Sequence, residues 1–96
     1  MAVSFARDIL PLFRAKDIEH MEPLGVPLDD YAYMSDPAGD ATFADHANAR
    51  NVFANVSPTP NPPNPPDPPA MPPGGPYWSA EQLRLYNQWM TDGFQA

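Results

Sequence analysis

The side chains here that could hold a metal or move a proton are two histidines, five methionines and a scatter of carboxylates. His20 ends the run Lys16-Asp17-Ile18-Glu19-His20, and imidazole is the commonest biological metal ligand. Met71 offers a thioether, which binds hard cations poorly and matters only beside a soft metal centre. His46 and Asp45, taken with Glu19 and His20, supply two imidazoles and two carboxylates, but no H-x-x-x-H or H-E-x-x-H spacing groups them. We therefore expect no metal site. Asp29–Asp30 and Asp36 to Asp40 lack the alternating oxygen ligands and terminal glutamate of a calcium loop, and read as solvated carboxylates. Gly74–Gly75 lacks the strand and lysine of a phosphate-binding loop, and no nucleophile elbow occurs. The catalytic residues are thus unassigned and the reading leans against an enzyme.

Composition narrows the classes further. A chain of 96 residues supports one domain, spanning 1–96, with one modest core. Twelve acidic against five basic residues give a net charge of −7, which repels phosphate backbones and anionic lipid headgroups. Nucleic acid and membranes are not expected partners. The absence of cysteine removes disulfides, thiolate metal sites and iron–sulfur clusters. No apolar run is long enough for a signal peptide or a membrane span, so the cytoplasm is the expected compartment, or the periplasm if a leader has been removed.

The elements that must position these residues follow from periodicity and turn chemistry. Ser4 caps a first helix whose Phe5, Ile9, Leu12 and Phe13 form one stripe, bent at Pro11. Residues 22–39 are rich in Pro, Gly and Asp and read as ordered loop, with a short helix near Asp29 to Met34. Asp40 to Val56 form a second helix capped by Asp40 or Thr42, with Phe43, Ala47, Val52 and Phe53 or Val56 on one side. The segment 58–76 carries most of the 15 prolines and reads as a solvated polyproline II spacer within the domain. Ser79 with Gln82 forms a capping box for the last helix, Leu83, Tyr86, Trp89 and Met90 make its apolar stripe, and Gly93 stops it.

Read in order, these elements resemble a family. Phe5, Asp8, Ile9, Pro11 and Phe13 followed by His20 resemble the first helix of small bacterial class I cytochromes c, where C-x-x-C-H follows. Here Lys16 and Glu19 occupy the two cysteine positions, so covalent haem attachment is excluded. Met71, Pro72, Pro73, Gly74 and Gly75, then Ser79, Glu81, Leu83, Trp89 and Gly93, look like the distal methionine loop and closing helix of such proteins. The resemblance runs in pieces from Phe5 to Phe94 and is strongest from Met71 onward. It implies an all-α fold: a small cytochrome c-like helical domain with long ordered loops and a Pro-rich segment.

The resemblance also orders the functional expectations. The leading one is a haem-free cytochrome c-like scaffold with no cofactor, acting as a protein-interaction module or a small accessory subunit of an enzyme, through a protein partner or self-association. Tyr77, Trp78, Tyr86 and Trp89, with Tyr31 and Tyr33, would fill the former haem space or face the partner. The alternative is a noncovalent haem protein for electron transfer, with His20 and Met71 as axial ligands. A third reading is a small enzyme using the former haem pocket, with His20, Glu19 or Asp17 as acid or base.

Overall fold

The computed structural model describes residues 3–69, 71 and 77–96. Ser4 begins the fold: its hydroxyl accepts the Arg7 N–H at 3.1 Å and caps a single π-helical turn, Phe5–Ile9. A 3-10 turn, Leu10–Leu12, follows with Pro11 near its start, where a missing N–H costs nothing, and the backbone becomes extended at Phe13. The expected bend at Pro11 is therefore a change of helix type that ends the segment and sends the chain into α1 (Ala15–Met21).

The turn-rich stretch resolves into a 3-10 turn, Glu22–Leu24, closed by Gly25 at φ +82°, and a one-turn helix α2 (Tyr31–Met34). Asp30 caps α2 by accepting the Ala32 N–H at 2.9 Å. The next helix starts later than its periodicity suggests. Asp40 Oδ1 accepts the N–H groups of both Thr42 and Phe43 at 2.8 Å, an arrangement that competes with helix for the same backbone donors. His46 then adopts the left-handed conformation, φ +47°, and α3 runs Ala47–Val56. Gly39 is required in this loop, because a Cβ there would collide with the Ala44 carbonyl.

The all-α expectation is overturned, and the fold is mixed α/β. Thr59–Asn61 (β1) and Asn64–Asp67 (β2) pair as an antiparallel hairpin, with Thr59 opposite Asp67 and Asn61 opposite Asn64. Proline is tolerated because a two-stranded ribbon consists of edges alone: each strand has a side that owes no ladder bond, so a missing N–H is harmless there. Every residue of the hairpin is exposed. The polyproline reading captured the extended backbone and missed its pairing. Residues 70 and 72–76 of the expected Pro-rich segment, including Pro72, Pro73, Gly74 and Gly75, lie outside the described residues.

The last helix, α4 (Ala80–Thr91), opens on the expected capping box: Ser79 Oγ accepts the Gln82 N–H at 3.1 Å and Gln82 Oε1 accepts the Ser79 N–H at 2.7 Å. Gly93, at φ +98°, turns the chain so that the Phe94 N–H reaches the Trp89 carbonyl at 3.0 Å. Trp89 and Tyr86 are 0 % exposed and share the core with Phe5, Ile9, Met34, Ala49 and Val52. Ring contacts join Trp89 to Phe5, Tyr86 and Phe94 at 5.6, 5.4 and 5.2 Å between centroids. The two ends of the chain meet there: the Phe5 N–H bonds the Gln95 carbonyl at 2.9 Å, and the Val3 N–H bonds the Asp92 carboxylate at 3.0 Å. Among the described residues, no helix is long and apolar enough to cross a membrane.

Candidate functional site

Beside the aromatic core lies a cavity of about 90 Å³, lined by residues that run from Phe13 to Trp78. Phe13 arrives from the extended stretch after the first turns, Asp17 and Met21 from successive turns of α1, and Val26 and Leu28 from the following loop. Tyr33 comes from α2, and Asn48, Asn51, Val52, Asn55 and Val56 from one side of α3. Met71 and Trp78 close the ring of lining residues. Met71 is anchored by its own N–H, which donates to the Asn55 carbonyl at 2.8 Å, so the end of α3 sets its position. Trp78 packs on Phe13 and Tyr86 with centroids 5.5 and 5.8 Å apart.

The polar members of the lining are held by the fold. Asn48 Nδ2 donates to the Tyr33 carbonyl at 3.0 Å, Asn51 Nδ2 to Asp40 Oδ2 at 2.9 Å, and Asn55 Nδ2 to the Asn51 carbonyl at 2.8 Å. Asp17 pairs with Arg14 through contacts of 3.0 Å, and the guanidinium holds its carboxyl below the usual carboxylate range. Burial pushes the Tyr33 phenol up. Tyr86 rises far more, chiefly through burial, and donates its hydroxyl to the Ala49 carbonyl at 2.9 Å.

The expected site residues do not converge. His20 is exposed on α1 and borders a polar surface depression with Arg14, Lys16, Asp17 and Glu19, whereas Met71 lines the apolar cavity. The reason is the side that α1 turns inward: Asp17 and Met21, one helical turn apart, are the α1 residues that border the cavity, and His20 falls to one side of that line. His20 and Met71 thus border two different depressions, which share Asp17 as a lining residue. Of the aromatic residues singled out, Trp78 lines the cavity, Tyr77 is 44 % exposed, and Tyr86 and Trp89 are core residues. The Trp89 indole N–H is satisfied by the Gln95 carbonyl at 2.8 Å.

Among the described residues, no group of three or more His, Asp or Glu side chains could hold a metal ion. The loop carboxylates serve turns instead, as Asp30 does for α2 and Asp36 does by accepting the Ala38 N–H at 2.9 Å. His46, weighed as a ligand, stacks flat on Phe94 with centroids 3.8 Å apart and bonds Asp45 at 2.7 Å. Arg50 completes that cluster, donating to Asp45 and lying 5.8 Å from the centre of the Phe94 ring.

The carboxamide row Asn48, Asn51, Asn55 was missed at the sequence level, although its spacing of three and four beside Val52 and Val56 was visible. What hid it is that asparagine on a helix usually marks a solvated face. Compared with protein-family models, with curated proteins and with solved structures, the chain matches none.

Proposed function

We propose that this protein is a haem-free, cytochrome c-like scaffold acting as a protein-interaction module or small accessory subunit of an enzyme. The observation that supports this reading is the packing around α4. Trp89 and Tyr86 occupy the middle of the fold, and among the described residues every buried side-chain nitrogen and oxygen has a partner. A core closed by its own side chains needs no prosthetic group for stability. The position that corresponds to the haem-binding histidine is left on the exterior, where it is available to a partner.

Charge defines the kind of partner. At −7, the surface favours a protein presenting lysine and arginine, and such an encounter weakens as salt rises. The exposed hairpin and Leu24, 65 % exposed beside α1, are the projecting features such a partner would meet.

The test begins with an absorption spectrum of protein expressed with ample haem and iron, then haemin titration and urea unfolding. Colourless protein that unfolds cooperatively and ignores haemin is the expected result. Candidate enzyme partners are then screened by co-purification at low and high salt, with a stoichiometric, salt-sensitive complex expected. A Soret band abolished by His20→Ala would replace this reading with noncovalent haem binding.

A further inference from the structure

The cavity beside α3 has a lining of two chemistries, and together they specify an occupant. One is a smooth apolar wall of Phe13, Met21, Leu28, Val52, Val56 and Met71. The other is the carboxamide row of Asn48, Asn51 and Asn55, interleaved with Val52 and Val56 along α3. Each of these amides donates an N–H to the protein, while no donor among the described residues bonds their side-chain oxygens. Asn55 is exposed, and among the described residues no buried side-chain oxygen lacks a partner, so the row offers solvent-reached acceptors to a donor.

Size and charge restrict the occupant further. An enclosed apolar cavity of about 150 Å³ stays dry and takes up benzene or xenon, so the smaller space of 90 Å³ here, open to solvent on one side, admits a single small ring at most. An anion is disfavoured by the overall charge of −7 and by the Asp17 carboxylate in the lining. A cation gains little, because Asp17 is already paired with Arg14. The space is part-open, and its lining is mostly apolar. One larger side chain at Val56, which is 5 % exposed but outside the central core cluster, would fill it.

We propose that this cavity is a binding site for a small, neutral, ring-sized apolar molecule carrying one hydroxyl donor, of the phenol class. The apolar wall takes the ring and an asparagine oxygen accepts the hydroxyl. The site does not depend on the partner reading: a colourless protein that ignores phenol leaves that reading intact, and phenol binding without a protein partner leaves this one intact.

The experiment is a titration of the intact chain with phenol, benzene and benzoate to about 10 mM, followed by backbone amide shifts in nuclear magnetic resonance spectra. Phenol should cause saturable shifts at Met21, Val52, Val56 and Met71. Benzene should bind about fivefold more weakly, the worth of one hydrogen bond, and benzoate at least about tenfold more weakly. Val56→Phe should abolish phenol binding while unfolding cooperatively, and Val26→Phe, which fills the space from the loop side, serves if Val56→Phe does not fold. The proposal is overturned by the absence of saturable shifts with phenol, by phenol binding that survives both filled variants, or by benzoate binding as tightly as phenol.

Discussion

Trp89 and His20 mark the extremes of what a single side chain contributes here. Trp89 is completely buried, touches three other rings and donates its indole N–H to the backbone that closes the C-terminal turn. Trp89→Ala should cost about 3–5 kcal/mol, a large share of the roughly 5–15 kcal/mol that holds a small domain together. His20 is exposed and, among the described residues, its side chain makes no hydrogen bond or ion pair. His20→Ala should change stability by less than about 0.5 kcal/mol. Urea denaturation of the two variants beside the parent checks both. Equal losses would mean that the histidine has an interior role this arrangement denies it.

At the scale of the element, α4 and the hairpin make opposite contributions. The reciprocal bonds of Ser79 and Gln82 satisfy two backbone donors that the first turn of α4 would otherwise leave open. Ser79→Ala should therefore cost about 1 kcal/mol, read as a lowered urea midpoint with an unchanged slope. The hairpin, by contrast, is exposed throughout, and its strands bring Thr59 and Asp67 side by side. Replacing residues 60–66 with a two-residue Asn-Gly turn should keep those ends joined and shift stability by no more than about 0.5 kcal/mol. A cooperative melt near that of the parent is the expected outcome. Loss of a cooperative transition would make the hairpin part of the core, against its burial pattern. If the partner reading holds and the hairpin is the contact, the same variant loses partner binding while staying folded.

The whole molecule is governed by its carboxylates. Asp8, Asp17, Asp40, Asp45 and Asp92 are all held below the ordinary value of 3.8. The leading causes are hydrogen bonds from the Arg7 and Arg14 side chains, the Phe43 N–H, the His46 ring and the Val3 N–H, in that order of residues. In the unfolded chain these groups take up protons first as pH falls. Their stabilisation is thus present above about pH 5 and is lost as pH drops through the ordinary carboxylate value and then through the lower folded ones. Melting temperature should be flat from pH 7 to 5 and fall steadily below pH 4. Raised salt should flatten the profile, since most of these pairs lie in contact with water. A melting temperature that rises on acidification would mean that relief of the −7 repulsion outweighs the lost bonds.

Local chemistry was sufficient wherever one short segment carried both halves of an interaction. The Ser4 cap, the break in the first helix at Pro11, expected as a bend, the short helix ending at Met34, the capping box at Ser79 and the stop at Gly93 were all legible, because each depends on residues at most a few positions apart. Two local readings failed when a neighbour competed. Asp40 drew the amides of Thr42 and Phe43 into a turn and delayed α3, and the proline strands found each other across Asn61-Pro62-Pro63-Asn64. Tertiary structure alone decided which side of α1 faces inward, and so parted His20 from Met71. It also decided that Tyr86 and Trp89 fill the centre, and that three asparagines border an apolar space. Each of these depends on where distant elements lie relative to one another, which burial of the whole apolar surface sets at once and no single stretch of residues contains.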